Sequence, residues 1–183
     1  MSHISYTIFI ICLCSDVPPC QNIANEFQVV FGMLQNDNFV RHVAVSGHRV
    51  PSVVLYTDRQ IHELKAFCFG SLNGSLLSFD KTFNLGSIYV TVSMYKNMAL
   101  NRSRTDDNKI FIGLIFLHGH SDFETYTQFF GHISAKLVDS DAHKLTLGSD
   151  EELAMRKNMS HFFPNACLVA CVCATCMTTL CVR

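Results

Sequence analysis

Basic clusters, phosphate-binding loops and internal repeats are all missing from this sequence. The 14 Lys and Arg residues are scattered along the chain, and the formal net charge is −1 with a pI near 6.7. A preformed basic face for nucleic acid is therefore not expected, and no basic nuclear-localisation cluster is present. If the chain binds DNA, it needs a metal ion or a local patch to do so.

Apolar runs long enough to span a membrane are also missing. The strongest candidate, "TIFIICLC" at residues 7–14, is much shorter than the ~20 residues that a spanning helix needs. It also lacks the positive residues that precede the apolar core of a signal peptide. We therefore expect no membrane association and interpret the segment as a short strand or unrelated sequence. A secreted, cysteine-bonded protein remains an alternative.

Cysteine is missing from residues 69–166, although the chain contains nine cysteines in all. A disulfide framework usually spreads its cysteines through a short secreted chain. The interior is therefore expected to be a reduced, intracellular domain between two cysteine-rich ends. A zinc site remains open at the C-terminal end, where a Cys-x-x-Cys pair has further candidate ligands nearby. These residues are Cys173 and Cys176, with His161, Cys167, Cys171 and Cys181.

The composition favours a compact folded domain, with 49% hydrophobic residues, 16% charged residues and 15 Phe. The sequence predicts an N-terminal segment over residues 1–70, made of a helix within 15–36, an extended stretch at 53–56 and a helix that Thr57 caps at its N-terminus. The polar loop at 71–75 is the predicted boundary. Residues 71–183 form the second unit, whose sequence pattern changes from about 173.

From residue 76 the pattern predicts the order β-β-β-α-β-α-β. Alternation and apolar runs indicate strands, and a 3.6-residue period then indicates helices. In the second strand the alternation predicts one face with Ile88, Val90, Val92 and Met94 and the other with Tyr89, Thr91, Ser93 and Tyr95. Three strands followed by alternating helices and strands favour a mixed α/β sheet with helices on its faces. The predicted strands are 76–79, 87–95, 109–119, the stretch running into Asp150, and 166–172; the predicted helices are 121–137 and 149–163.

Each predicted helix of this second unit begins with a Ser-x-x-Glu pattern. This pattern is typical of a capping box, in which both side chains bond to backbone amides at the helix start. We therefore expect Ser121 with Glu124 and Ser149 with Glu152 to cap the two helices. In the first helix, one buried stripe is expected to contain Phe123, Tyr126, Phe130, Ile133 and Leu137.

Two aspartates follow predicted strands, Asp80 after 76–79 and Asp150 after the fourth strand. Mg²⁺ prefers hard oxygen ligands and usually takes one or two protein carboxylates. Two carboxylates on neighbouring strands are therefore a candidate metal site. The alternative is structural: Asp80 begins a turn, and Asp150 neutralises the N-terminal end of a helix dipole.

Three stretches in this order resemble the catalytic core of Mutator-like element transposases, which are DDE-type DNA transposases. They are "SFDKTFNLGSIYVTVSMYKN", "IFIGLIFLHGHSDFETYTQFFGHIS" and "LTLGSDEELAMRKNMSHFFPNACLVACV", and together they cover residues 76–172. The "PSVVLYTDRQIHELKAFC" stretch also resembles the segment before the core in invertebrate members.

The resemblance implies a C-terminally truncated RNase H-like fold, with Asp80 and Asp150 as the first two catalytic carboxylates and metal ligands. It implies Mg²⁺ or Mn²⁺ as cofactor, DNA at element ends as substrate, and a nuclear location. Thr82, Phe83 and Gly86 would then form the turn that carries Asp80 out of its strand.

The sequence departs from the family pattern after the last strand. The family has a Cys-x-x-His pair there, but Ala174 stands where the His is expected after Cys171, and no Glu follows Glu152. The resemblance therefore predicts a transposase fragment that lacks its third carboxylate and is inactive. A non-enzymatic protein derived from a transposase is the alternative, self-associating or pairing with full-length transposase through an exposed sheet edge.

Overall fold

The computed structural model describes residues 32–35, 38–45, 50–69, 75–85, 88–101, 103, 107–137, 145–150 and 152–170, with the backbone alone at 82–85. Its strands form one open, mixed seven-stranded sheet in the order β1-β2-β5-β4-β3-β6-β7. The strands are β1 (Val40–Ala44), β2 (Ser52–Leu55), β3 (Leu77–Leu85), β4 (Ile88–Asn101), β5 (Asn108–His118), β6 (Thr146–Ser149) and β7 (Cys167–Ala170). The helices are α1 (Asp58–Leu64), which continues as a π-helical turn at Lys65–Phe69, α2 (Phe123–Leu137) and α3 (Leu153–Phe162).

The strand directions divide the sheet into two parts. The pairings among β1 to β5 are all antiparallel, whereas β6 runs parallel to β3 and β7 runs parallel to β6. The predicted mixed α/β class is confirmed, and from Leu77 onward the elements follow the predicted chain order. The β1 and β2 strands, which precede the predicted boundary at 71–75, belong to the same sheet; residues 71–74 of that boundary lie outside the described part.

Strand β4 shows why the alternation predicted the sheet. Successive side chains of a strand point to opposite faces. Ile88, Val90 and Val92 lie in the apolar cluster on one face, and Tyr95 lies in the cluster on the other face. Because β4 occupies a central position in the sheet, both sets are buried.

The larger core lies on the face covered by α1, α2 and α3. Helix α2 buries four fully enclosed side chains there: Tyr126, Phe129, Phe130 and Ile133. Burial of each large apolar side chain stabilises the fold by roughly 1.5–3 kcal/mol. The opposite face has a smaller cluster from β1, β2, β4 and β5, against which the helical residues 32–35 pack through Met33 and Leu34.

The predicted start of α2 needs correction in two respects. The backbone N–H of Thr125 donates to Asp122 Oδ1 at 2.8 Å, so Asp122 and not Ser121 caps the helix. Phe123, predicted to belong to the buried stripe, is 47% exposed, and Phe129 takes its place in the core. Because capping begins one residue later than predicted, Ser121 is available to bind Lys81.

The predicted capping box of α3 is also wrong. Ser149 belongs to β6, and Glu152 occupies the N-cap position without a side-chain hydrogen bond to the helix amides. In contrast, the predicted cap of α1 is confirmed, since Thr57 and Gln60 form a reciprocal capping box. The two predicted caps differ because Lys81 and Tyr126, which are distant in the sequence, bind the side chain of Glu152.

The predicted segment 7–14 and most of the predicted helix within 15–36 lie outside the described residues. Within the part of the chain that the structure describes, no helix is long and apolar enough to cross a membrane.

Candidate metal centre

Asp80 and Asp150 come directly after the last paired residues of two neighbouring parallel strands. The last paired residues of β3 and β6 are Phe79 and Ser149, and the two aspartates come directly after them. Phe79 packs against Phe129 and Phe130 on the helix-covered face, so alternation places Asp80 on the opposite face. Asp150 directly follows Ser149 at the end of β6, and its charge acts on Asp80. The backbone thus brings the two predicted carboxylates to the same end of two neighbouring parallel strands.

The two carboxyl groups also interact electrostatically. The pKa of Asp80 is raised above its ordinary value, first by burial and then by the negative charge of Asp150. Burial follows from the position of Asp80 opposite Val92, a member of the apolar cluster on that face. A nearby like charge and a low-dielectric surrounding both disfavour the ionised form. A bound cation would relieve the repulsion between the two groups.

One detail of the predicted setting of Asp80 is wrong. Asp80 does not end its strand, because β3 continues to Leu85 and pairs with β4 along its length. Thr82 and Phe83, predicted to form a turn, lie within β3, and the pairing shifts in register between Lys81 and Phe83. Gly86 lies outside the described residues. Asp80 therefore stands on a continuous strand beside a bulge, which gives a more rigid support than a turn.

On the helix-covered face, Glu152 connects three elements. Its Oε1 atom lies 3.0 Å from the Lys81 ammonium of β3, and its Oε2 atom accepts a 2.9 Å hydrogen bond from the Tyr126 hydroxyl of α2. The Lys81 ammonium also donates to Ser121 Oγ at 3.1 Å and lies 5.1 Å from the centre of the Tyr89 ring. Sequence reasoning missed this network, because Lys81 and Glu152 are 71 positions apart.

The turn after β6 is held by local bonds as well. The backbone N–H of Glu152 donates to Asp150 Oδ1 at 3.2 Å, and Ser149 Oγ donates to the Asp150 carbonyl at 3.0 Å. Side chains of Ser and Asp commonly stabilise turns through such short-range bonds to the backbone. One carboxylate oxygen of Asp150 is therefore already oriented by the turn.

A buried histidine lies under this network. His118 Nδ1 is 2.7 Å from the carbonyl of His120, which accepts hydrogen bonds only, so Nδ1 carries the proton. His118 Nε2 then accepts from Thr91 Oγ1 at 2.8 Å. Burial lowers the pKa of His118 to about 4, and the ring stacks on Phe116. His118 is thus a neutral packing residue and contributes no ligand to the aspartates.

The donor set fits a hard divalent cation better than a soft one. Asp80 and Asp150 offer carboxylate oxygens alone, and Mg²⁺ commonly binds through one or two carboxylates while retaining water. Within the described ranges, no group of three His, Cys, Asp or Glu side chains converges on a common point. A two-carboxylate site is therefore the most that the described residues supply.

The two cysteines that the structure describes fall outside this site. Cys68 is buried and Cys167 is exposed, and both are free thiols. Burial raises the pKa of Cys68 to about 12, so its thiol stays protonated. Cys167, expected within a buried strand, is exposed because β7 lies at the edge of the sheet. The remaining candidates for a zinc site, Cys171 to Cys181, lie outside the described residues.

Comparison with known proteins identifies no relative: no family model, no curated protein and no solved structure matches this chain. The function must therefore be inferred from the residues of the site and from the motifs of the sequence.

Proposed function

We propose that Asp80 and Asp150 form the divalent-cation site of a DDE-type nucleic-acid enzyme core, derived from a Mutator-like element transposase. The observation that carries the proposal is their placement directly after Phe79 and Ser149, the last paired residues of the parallel strands β3 and β6. The raised pKa of Asp80 beside Asp150 supports it, since two repelling carboxylates are suited to a shared cation.

The strand arrangement supports an RNase H-like fold for residues 77–170. Three antiparallel strands, β3 to β5, are followed by a helix, a strand, a helix and a strand. The β6 strand then pairs with β3 on the side away from β4, so the first strand of the unit lies at its centre. This places the first and fourth strands side by side, which is where the two proposed ligands stand. Strands β1 and β2 extend the same sheet beyond β5.

The residues of the site would bind Mg²⁺ or Mn²⁺ through Asp80 and Asp150. When bound, such an ion lowers the pKa of a coordinated water and neutralises charge on a phosphodiester. The two aspartates would orient the substrate phosphate relative to β3, and the Glu152 amide would hold one oxygen of Asp150 in place. The proposed substrate is DNA at transposable-element ends, and the proposed location is the nucleus.

We further propose that the pair does not complete strand transfer by itself. Two-ion phosphodiester chemistry in this family uses a third carboxylate, and Glu152, the acidic residue described beside Asp150, is engaged by Lys81 and Tyr126. A carboxylate with both oxygens occupied in this way is poorly placed to serve as a ligand. The chain is therefore proposed to bind a cation and DNA without efficient cleavage.

The proposal is tested by thermal unfolding in rising Mn²⁺ concentrations. A ligand that binds the folded state stabilises it by about 2.7 kcal/mol at a hundredfold excess over its Kd. We expect Mn²⁺ to raise the Tm of the wild type and not of Asp80→Asn or Asp150→Asn. Asp107→Asn, at an exposed aspartate between β4 and β5, is the matched control and should respond like the wild type. Equal responses of all four proteins would overturn the site.

Incubation with supercoiled plasmid and Mn²⁺ tests the second part. We expect the wild type to leave the plasmid intact. Nicking by the wild type that disappears in Asp80→Asn would show instead that the chain is a complete nuclease.

The alternative of a non-enzymatic interaction protein is favoured by one observation. Strand β7 pairs with β6 alone among the described strands, so the Cys167–Ala170 segment has one side that no described strand covers. Unpaired strand edges are sites of association between chains. Light scattering distinguishes the alternatives: a dimer that dissociates when Val169→Pro is introduced, without any Mn²⁺ response, would favour the interaction protein.

A further inference from the structure

The two chain segments that carry Asp80 and Asp150 are joined by the backbone ladder and also by an ion pair on the helix-covered face of the sheet. Lys81 directly follows Asp80, and Glu152 lies two residues after Asp150; their side chains form an ion pair of 3.0 Å. The backbone ladder between β3 and β6 ends at Phe79 and Ser149, before either aspartate is reached. The ion pair therefore connects the two chain segments where the ladder no longer does.

We propose that Lys81 and Glu152 are positioning residues that fix the separation of Asp80 and Asp150 for cation binding. This inference rests on the proposed function of the aspartate pair. The ion pair holds the turn after β6 against β3, and the Glu152 backbone amide passes that constraint to Asp150 Oδ1 through a 3.2 Å bond. Neither Lys81 nor Glu152 touches the cation in this arrangement.

Tyr126 anchors the ion pair to the core. Its side chain is fully buried in α2, and its hydroxyl donates to Glu152 Oε2 at 2.9 Å. The Glu152 carboxylate is therefore held by a cation on one oxygen and by a rigid phenol on the other. Charge-assisted hydrogen bonds of this kind are stronger and more directional than neutral ones.

The partial burial of this ion pair indicates that it positions the two aspartates and adds little net stability. The side chains of Lys81 and Glu152 are 27% and 14% exposed, so both are partly removed from water. The cost of desolvating two charges offsets much of their attraction, and such pairs often contribute little net stability. Residues that orient metal ligands through hydrogen bonds typically change metal affinity by 10- to 100-fold when they are replaced.

The test is the Kd of Mn²⁺, measured by the loss of the free-ion signal in electron paramagnetic resonance. We expect Glu152→Gln and Lys81→Met each to weaken Mn²⁺ binding by about 10- to 100-fold. The double variant should lose no more than either single variant, because both substitutions break one interaction. Lys81→Arg, which keeps the ion pair, should retain an affinity within about threefold of the wild type.

A matched control separates positioning from general destabilisation. Glu63 of α1 has the same kind of surroundings, since it pairs with Arg59 at 2.7 Å and accepts a hydrogen bond from the buried Tyr95 hydroxyl. Its partner Tyr95 lies on β4 three residues beyond Val92, which pairs with Asp80, and Glu63 has no bond to the turn that carries Asp150 among those the structure describes. Glu63→Gln should change the Tm by an amount similar to that of Glu152→Gln while leaving the Kd of Mn²⁺ unchanged.

The possible outcomes distinguish the two proposals. If the wild type does not bind Mn²⁺, the aspartate site itself is overturned. If the wild type binds Mn²⁺ and Glu152→Gln binds it equally well, the aspartate site stands and the positioning role is overturned. A loss of affinity in Glu63→Gln as large as that in Glu152→Gln would also overturn it, because the effect would then follow stability alone.

Discussion

The negative charge of Asp150 raises the pKa of Asp80 across the β3–β6 pair, and burial of Asp80 acts in the same direction. Folding therefore brings together two groups that destabilise each other at neutral pH. Proteins retain such strain mainly at functional sites, where a ligand relieves it. The aspartate pair thus has properties that can be tested before any cation is added.

Replacement of Asp80 by Asn should stabilise the cation-free protein. Folding raises the pKa of Asp80 above its ordinary value of 3.8, so the destabilisation begins as pH rises above 3.8 and is complete above the folded-state pKa. We expect Asp80→Asn to have a higher Tm than the wild type at pH 7, and the difference to shrink towards pH 3. Carboxyl ¹³C chemical shifts provide a second measurement: Asp150→Asn should lower the pKa of Asp80. A cation-free Asp80→Asn protein that is less stable than the wild type at pH 7 would contradict this account.

The aromatic core under the site is predicted to be sensitive to truncation at Phe129. This ring is fully buried and stacks on Phe116 with a centroid distance of 4.5 Å. Phe129→Ala should lower the free energy of unfolding by about 3–5 kcal/mol, as measured by urea denaturation. Phe123→Ala is the matched control, since Phe123 is 47% exposed and should change stability by less than about 1 kcal/mol. Equal losses would mean that the two rings have been assigned to the wrong faces of α2.

Acid should destabilise the fold partly through His118. Its pKa is about 4 in the folded state and 6.5 in the unfolded state, so the unfolded chain binds the extra proton first as pH falls from 6.5 to 4. Stability should therefore decrease across this window by at most about 1.4 kcal/mol per pH unit for this group. His118→Gln should flatten the pH profile of the unfolding free energy, whereas His161→Gln, at an exposed histidine, should not. An unchanged profile in His118→Gln would show that His118 is not buried in its neutral form.

The two described cysteines should differ in reactivity. Cys167 is exposed, whereas Cys68 is buried with its pKa raised to about 12, and the thiolate is the reactive form. Iodoacetamide labelling of the native protein, followed by peptide mass spectrometry, should modify Cys167 and spare Cys68 until denaturant is added. Recovery of Cys68 in a disulfide would contradict this prediction and would favour the secreted alternative.

Local sequence patterns predicted the helices and strands well because the spacing of apolar residues follows the buried face of each element. The alternation in β4 placed Val90 and Val92 on one face and Tyr95 on the other, as the structure has them. The cap of α1 was predicted correctly because Thr57 and Gln60 bond to each other within one helical turn, and the further bond from Gln60 Nε2 to the Ile112 carbonyl leaves this cap in place. In each of these cases the relevant partner lies within a few residues along the chain.

Two errors arose where a distant partner decided the outcome. The Ser149–Glu152 pattern matched a capping box, but Lys81 and Tyr126 take the Glu152 side chain instead. Asp80 was expected to end its strand, yet pairing with β4 extends β3 to Leu85. The pairing of β2 with β5 also depends on residues about 60 positions apart, and no local pattern in either strand specifies it.

The most direct measurement of the central claim is the anomalous difference density of crystals grown with Mn²⁺. The account predicts a Mn²⁺ peak between the carboxylates of Asp80 and Asp150, bound by oxygen from both, and no peak at this place in Asp80→Asn crystals. Carboxylates that point away from each other, or Mn²⁺ bound only elsewhere on the protein at saturating concentration, would contradict it.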